Sequence, residues 1–360
     1  MNYKLSKLIF CPEKTTLMIR RTGRYKIFAF NLIFMVMMSC NTEKANEGRD
    51  QPDNMTKRTK TSINLSDIKI GYCSPSQNAP FYVVLSQYVR QYSESCGMQF
   101  VMADGQDDII KQITSMEDLV TTGLDILILN PLDHKALVPA VNATVESGVP
   151  VFIVDSQIDE TAHYITSVQA SNEGNGELIG EYVVNKLRDR NIRVALISGS
   201  QGNPVGREKR LGFVRGFVET QLMIQGRSDL EIVSHGWGNW TLLGGIEAME
   251  DILVAFPDIN LLVAENDAMG MGALKAIREA GRDGEILVVG FDGQKEAYEL
   301  IKEGDFGATA LNSPAELARL VVESVVDYLN GEQINKIIYT PAVLITEDNV
   351  DEYYDPDALF

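Results

Sequence analysis

The sequence is poor in the residue types that most often carry redox, metal or proton-transfer chemistry. Its 360 residues include only four cysteines and three histidines. The histidines, His134, His163 and His235, lack the spacing of a zinc site or of a catalytic triad. Twelve prolines and 29 glycines are too few for a collagen-like or disordered chain. We therefore predict a globular protein without a metal or other cofactor, with enough apolar residues, 45%, for two cores.

Most of the chain also lacks a basic surface. The formal net charge is −18, and because residues 1–40 carry +6 of this total, the remaining residues carry −24. A body this acidic repels the phosphate backbone of nucleic acids and the headgroups of anionic lipids. Binding of nucleic acid by the body of the protein is therefore not expected.

The apolar run near the N-terminus, residues 27–38, is too short to cross a membrane. As a helix it would rise about 18 Å, against about 30 Å for a hydrocarbon core. It follows four positive charges within residues 20–26 and ends at Ser39 and Cys40, which resembles a bacterial lipoprotein signal. We predict a signal peptide over residues 1–40, with Met18 as a possible true start, and lipidation of Cys40.

The residues after this signal are polar, and residues 41–64 contain almost no bulky apolar side chain. Such a segment cannot form a core, so it is predicted to be a flexible stalk. Cys11 is expected to be removed with the signal peptide. Cys73 and Cys96 are predicted to lie at opposite ends of one helix, about 20 Å apart, and therefore to form no disulfide.

From residue 67 onward, short apolar runs rich in β-branched residues alternate with amphipathic segments of helix length. Strands that are buried on both faces and separated by helices indicate parallel sheets with right-handed crossovers. Ten strands exceed an ordinary open sheet, so we predict an α/β protein with two doubly wound lobes of five or six strands each. The predicted strands are residues 68–73, 99–103, 126–129, 151–154, 165–168, 194–198, 231–234, 261–264, 287–290 and 308–311.

Polar residues follow most of these strands, at the edge where ligands of parallel sheets bind. A single Asp, Asn or Ser there usually caps the next helix, but six such sites with carboxylates, carboxamides and an arginine favour a shared ligand. These groups hydrogen-bond to vicinal hydroxyls, and aromatic rings pack on the apolar face of a sugar. The strand ends therefore predict a site for a sugar or polyol.

Five segments make the prediction more specific, namely residues 127–133, 148–155, 207–213, 265–273 and 289–293. In this order they resemble bacterial type I periplasmic sugar-binding proteins of the ribose and galactose group. The resemblance extends from residue 67 to about residue 349. It implies two Rossmann-like lobes joined by a three-strand hinge, residues 65–169 plus 313–341 and residues 170–312 plus 342–360.

The resemblance also implies a set of ligand-binding residues on each lobe. Phe81 or Tyr82 and Trp240 would sandwich the sugar ring, and the polar members would hold its hydroxyls. The first lobe would contribute Asn78, Phe81, Tyr82, Asn130 and Asp155, and the second Arg207, Trp240, Asn266, Asp292 and Asn312.

Three positions depart from the ribose-type pattern. Ser156 stands where ribose-type members have an arginine after the aspartate. The serine or threonine that those members have near Ala170 is absent, and Asn312 replaces the more usual glutamine. The loss of a cationic fork argues against ribose itself and leaves room for a larger or differently hydroxylated ligand.

The resemblance implies a lipid-anchored, extracytoplasmic, monomeric receptor that delivers a monosaccharide or polyol to an ABC-type sugar transporter. The alternative is a receptor that reports the bound state to a membrane sensor kinase.

A transcriptional repressor is not expected, because residues 1–60 contain no helix-turn-helix pattern. An enzyme is not expected either, since residues 199–207 lack the Gly-Lys-Ser/Thr ending of a phosphate-binding loop. Residues 104–108 do not match a calcium-binding loop and are expected to cap the following helix.

Overall fold

The computed structural model describes residues 64–188 and 191–360. The predicted signal peptide, the alternative start at Met18, the lipid on Cys40 and nearly all of the stalk lie outside these residues. Within the described part of the chain, no helix combines the length and the apolar character needed to span a membrane. Cys73 and Cys96 are not joined in a disulfide, as the sequence predicted.

In the residues that the structure describes, twelve strands form two six-stranded sheets. The first sheet has the order β11-β5-β4-β3-β1-β2 and is parallel throughout. Its strands are β1 (Lys69–Ser74), β2 (Gln99–Asp104), β3 (Ile126–Leu129), β4 (Val151–Val154), β5 (Ser167–Ala170) and β11 (Ile337–Thr340).

The second sheet repeats this order as β12-β10-β9-β8-β6-β7. It is parallel except for the antiparallel pair of β10 and β12. Its strands are β6 (Arg193–Ser198), β7 (Glu231–Trp237), β8 (Leu261–Ala264), β9 (Leu287–Asp292), β10 (Ala308–Leu311) and β12 (Leu344–Thr346).

Helices cover both faces of each sheet, which explains why the central strands are buried apolar runs such as those of β3, β4 and β8. The first half of the molecule is the first sheet with α1 (Pro80–Ser95), α2 (Ile109–Thr121), α3 (Val138–Glu146) and α9 (Pro314–Leu329). The second half is the second sheet with α4 (Asn172–Lys186), α5 (Pro204–Gln225), α6 (Leu242–Ala255), α7 (Asp267–Glu279), α8 (Lys295–Glu303) and α10 (Val350–Tyr353).

Side chains at the strand-to-helix junctions start several of these helices. Asp108 accepts a hydrogen bond from the amide of Lys111 and caps α2, as residues 104–108 were expected to do. Asn203 caps α5 and Asn266 caps α7 in the same way. The first turns of α5 and α7 are thereby held at the carboxyl edge of the second sheet.

Glycines allow α4 and α5 to pack with their backbones in close contact. A Cβ atom at Gly176 would lie 2.3 Å from the carbonyl oxygen of Lys209, and one at Gly212 would lie 2.0 Å from that of Glu173. Larger residues at these positions would force the helices apart. This contact fixes the rotation of α5 about its axis, and therefore which of its side chains face the second sheet.

The predicted α/β class and the two sheets are confirmed. The predicted strand 165–168 is shifted and runs from Ser167 to Ala170. The sequence pattern did not predict β11 or β12. β11 is largely exposed and so has no continuous apolar run, and β12 has only three residues. The chain passes from one half to the other three times, after β5, β10 and β11.

Candidate ligand-binding site

A cavity lies at the carboxyl ends of strands from both sheets. Its first-half wall comes from the start of α1 and from the residues after β4. Its second-half wall comes from the start of α5, the loop after β7, the end of β9 and the residue after β10. The lining residues are Phe81, Tyr82, Asp155, Ser156, Asn203, Val205, Lys209, Trp240, Asp292 and Asn312.

Six of the ten residues implied by the family resemblance line this cavity, namely Phe81, Tyr82, Asp155, Trp240, Asp292 and Asn312. Asn130 and Asn266 are buried next to it but support other groups rather than line it. Asn130 donates to Asp155, and Asn266 caps α7 while donating to the Trp240 carbonyl.

The structure does not bring Asn78 or Arg207 to the cavity lining. The Nδ2 atom of Asn78 donates to Oδ2 of Asp107 at 2.7 Å, at the exposed end of the loop before α1. Arg207 is exposed on α5. Because each helical residue turns about 100°, Lys209 faces nearly the opposite way and enters the cavity instead.

On the first half, Asp155 is held by neutral amide groups. Its Oδ2 atom accepts a hydrogen bond from Nδ2 of Asn130 at 3.0 Å, and the carbonyl oxygen of Asn130 accepts one from the buried side chain of Gln112 at 2.8 Å. Burial raises the pKa of Asp155 to about 6; the Asn130 hydrogen bond opposes the rise and the negative charge of Asp292 adds to it. The carboxyl group therefore titrates close to neutral pH.

On the second half, Asp292 is held by a cation. The Nζ atom of Lys209, whose side chain is 2% exposed, lies 2.9 Å from Oδ1 of Asp292 and 2.9 Å from the carbonyl oxygen of Glu265. The same ammonium lies 5.1 Å from the centre of the Phe291 ring and 5.6 Å from that of Trp240. A buried lysine is stable in this position because a carboxylate, a carbonyl and two ring faces surround it.

Further buried carboxyl groups support this second wall. Oδ2 of Asp267 accepts hydrogen bonds from the amides of Gly293 and Gln294, both at 2.8 Å, and so fixes the turn after Asp292. Burial and the nearby charge of Asp292 raise the pKa of Asp267 well above its usual range. Glu265 accepts from the Gly199 amide at 2.8 Å and forms an ion pair with Arg210.

Aromatic rings form the apolar part of both walls. Phe81 and Tyr82 meet edge to face with ring centres 6.1 Å apart. The Trp240 ring lies directly over Gly199, where a Cβ atom would come within 1.9 Å of it. The backbone of Trp240 has a φ of 63°, and its carbonyl oxygen accepts a hydrogen bond from Asn266 at 3.0 Å. The ring is thus held in a strained loop at a defined place.

One acceptor in the cavity is left open. The Oδ1 atom of Asn312 is buried and has no hydrogen-bond partner among the residues that the structure describes. Since buried polar atoms are normally paired, a ligand hydroxyl is a suitable donor for it. Together, Asp155, Asp292 and Asn312 offer acceptors from both halves between aromatic walls, which is an arrangement for binding hydroxyl groups.

Comparison with known proteins agrees with this architecture. The periplasmic binding protein domain family matches residues 70–333. The chain belongs to this family. The resemblance drawn from the sequence is thereby confirmed at the level of the family.

Relatives of known name extend this result. The ribose import binding protein of Bacillus subtilis is 32% identical over 290 residues, which cover 81% of this chain and 91% of that protein. An ABC transporter solute binding protein from Mycobacterium smegmatis, solved with bound glycerol, is 31% identical with a TM-score of 0.73, covering 79% of this chain and 96% of that one. The Caulobacter myo-inositol binding protein, solved with myo-inositol, is 27% identical with a TM-score of 0.72, covering 79% and 94%.

Four lining residues of this periplasmic binding protein were not among those singled out from the sequence: Ser156, Asn203, Val205 and Lys209. Ser156 was noted only as a departure from the ribose-type pattern. Lys209 lies inside the quoted segment 207–213, but the choice between it and Arg207 depends on which face of α5 meets the sheet. A sequence signal existed in the glycines of α4 and α5, since their small side chains mark the contact face.

Proposed function

We propose that this protein binds a neutral monosaccharide or polyol between its two halves and delivers it to an ABC-type importer. The observation that carries the proposal is the facing pair of Asp155 and Asp292 beside the open acceptor of Asn312.

The charges in the cavity favour a neutral ligand. Lys209 is already paired with Asp292, so it does not offer a free positive charge to a phosphate or a sugar acid. Asp155 adds a negative charge once its carboxyl group is ionised. Arg207 is exposed on α5 and does not line the cavity, so its positive charge does not offset that of Asp155. An anionic ligand would therefore meet net repulsion.

The relatives support the same ligand class. The Bacillus subtilis relative is named for ribose, and the two solved structures hold glycerol and myo-inositol. These compounds share several hydroxyl groups and carry no charge. We do not propose ribose specifically, because Ser156 and Asn312 depart from the ribose-type pattern and both line the cavity.

We further propose that the two lobes, residues 65–169 plus 313–341 and residues 170–312 plus 342–360, close on the ligand about the three chain crossings. Contacts between the two lobes, such as the hydrogen bond that Gln157 donates to Glu208, would favour closure. The protein is proposed to act as a monomer on the extracytoplasmic side of a membrane, tethered through a lipid on Cys40. Replacing Cys40→Ser should abolish incorporation of labelled palmitate and release the protein from membranes.

The proposal is tested by thermal unfolding of the purified protein with D-ribose, D-galactose, glycerol, myo-inositol and gluconate. A bound compound at one hundred times its dissociation constant should stabilise the fold by about 2.7 kcal/mol. We expect stabilisation by at least one neutral compound and none by gluconate. Stabilisation by gluconate alone would contradict the charge argument, and a flat panel would contradict the ligand class.

A further inference from the structure

Residues 354–360, which we call the C-terminal strap, follow α10 and are attached to α8 of the second half. The hydroxyl of Tyr354 donates to Oε1 of Glu299 at 2.9 Å. Nζ of Lys295, the first residue of α8, donates to the carbonyl oxygens of Ala358 at 3.0 Å and Pro356 at 3.4 Å. The strap therefore runs along α8 toward its first residue, which stands three positions after Asp292.

The other end of the strap lies on α1 of the first half. The Phe360 ring meets the Phe81 ring edge to face, with centres 5.6 Å apart and an interplanar angle of 83°. Tyr88, two turns further along α1, lies near the strap as well. Burial and the charge of Asp355 raise the pKa of the Tyr88 phenol, and a hydrogen bond from the backbone of Leu359 opposes the rise. The strap thus bridges the two halves.

This bridge reaches the ligand cavity through one side chain. Phe81 is 7% exposed and lines the cavity, with Tyr82 on one side of its ring and Phe360 on another. Phe360 does not line the cavity itself. Phe360 forms a second layer behind the aromatic wall. It lies outside residues 70–333, the part of the chain that the family model matches.

We propose that the C-terminal strap is a latch that holds the two halves together over the bound ligand, with Phe360 as the positioning residue for Phe81. The inference rests on the proposed function. Contacts to α8 and α1 can exist together only when the halves are close, so they stabilise the closed arrangement over the open one. A ligand held in the closed state leaves only after the latch opens, so the strap lowers the rate of dissociation.

The test uses Phe360→Ala in the full chain, with D-ribose, glycerol and myo-inositol as probes. Trp240 lines the cavity and reports binding by its fluorescence, so dissociation is followed by stopped flow. An edge-to-face pair is worth enough to raise the dissociation rate and the Kd by about threefold to tenfold. The association rate should be nearly unchanged. Phe360→Tyr, which keeps the ring, should restore wild-type dissociation.

Two further variants separate the latch from a general packing effect. Lys295→Met removes one of the two anchors of the strap on α8, and because Lys295 does not line the cavity, any change comes through the strap. The substitution should raise the dissociation rate, as Phe360→Ala does. Leu359→Ala is the matched control, because the side chain is in the same segment and is 55% exposed. It should leave dissociation unchanged. Equal dissociation rates for the wild type, Phe360→Ala and Lys295→Met would overturn the latch.

A ligand-free measurement keeps this test independent of the proposed function. Small-angle X-ray scattering should give a larger radius of gyration for Phe360→Ala than for the wild type and Leu359→Ala. If none of the three probes binds the wild type but this difference is found, the ligand class is wrong and the latch stands. If the radii are identical and the dissociation rates do not differ, the latch is wrong whatever the ligand is.

Discussion

The two halves of the molecule have the same strand order but hold their cavity carboxylates by different means. Asp155 in the first half accepts a hydrogen bond from the uncharged amide of Asn130, whose backbone carbonyl in turn accepts one from the side chain of Gln112. Asp292 in the second half is paired with the buried ammonium of Lys209. The same fold therefore holds an acceptor carboxylate at the carboxyl edge of its sheet with a neutral amide in one half and with a positively charged ammonium in the other.

This difference separates a carboxylate that is permanently compensated from one that responds to its surroundings. An amide donor stabilises a buried carboxylate only in part, so the pKa of Asp155 is raised to about 6. The ammonium of Lys209 fixes the orientation of Asp292 before any ligand arrives. The second half is therefore the more preorganised wall, and the first half is the wall whose charge a ligand can alter.

The largest effect is expected from breaking the ion pair of the second half. Lys209→Met leaves the carboxylate of Asp292 buried without its cation, which should lower the free energy of unfolding by about 3–5 kcal/mol. Asn130→Ala in the first half removes a neutral donor and should cost about 1–3 kcal/mol. Urea unfolding at pH 7 measures both. Arg207→Met, at an exposed position on the same helix, is the control and should stay within about 0.5 kcal/mol. Equal losses for Lys209→Met and Asn130→Ala would remove the distinction between the halves.

The next effect concerns the pH dependence of stability. Because folding raises the pKa of Asp155 from 3.8 to about 6, it favours the protonated form. The resulting stabilisation is complete below about pH 4 and is lost as the pH rises through about 6. The rise corresponds to about 3 kcal/mol. Ligand-free Asp155→Asn should therefore match the wild type near pH 4 and exceed it by up to about 3 kcal/mol at pH 7. A constant difference between the two proteins over this range would show that Asp155 does not titrate there.

The smallest effect compares the aromatic walls. The Phe81 ring is backed by other rings, whereas the Trp240 ring rests on the backbone of Gly199. Gly199→Ala should displace the indole and weaken sugar binding by about 1–3 kcal/mol, measured by calorimetry. Gly202→Ala is the control: its φ of 82° makes alanine strained, but nothing lies within 4 Å of the added carbon. Gly202→Ala should lower the free energy of unfolding and leave the Kd unchanged. Equal Kd values for the wild type and Gly199→Ala would show that the backbone of Gly199 does not support the Trp240 ring.

Much of this architecture could be predicted from the sequence, because strands buried on both faces are continuous apolar runs and the residues after them lie at one edge. That logic located Asp155, Asp292 and Asn312. It could not tell a residue that enters the cavity from one that supports its neighbour, as Asn130 and Asn266 do. Both lie at the right edge, but their side-chain directions depend on partners distant in sequence.

Lys209 was missed for a different reason. It lies within a helix rather than at a strand end, so its direction depends on the rotation of α5, which close packing at Gly176 and Gly212 determines. The strap was missed because an edge-to-face contact between Phe360 and Phe81 joins residues almost 280 positions apart. Neither feature has a local periodicity from which it could be predicted.

The left-handed backbone of the two aspartates has one more consequence. Asp155 has a φ of 65° and directly follows β4, whereas Asp292 has a φ of 105° and is the last residue of β9. The two strands occupy equivalent places in the two sheets. The two aspartates therefore stand at equivalent positions of the two halves, one on each side of the cleft. A sugar does not present the same groups on both of its sides, so the two carboxylates are not interchangeable to it. Asp155 has the amide of Asn130 as its partner and Asp292 has the ammonium of Lys209. This difference makes the two sides of the cleft unequal and gives a chiral ligand one preferred orientation.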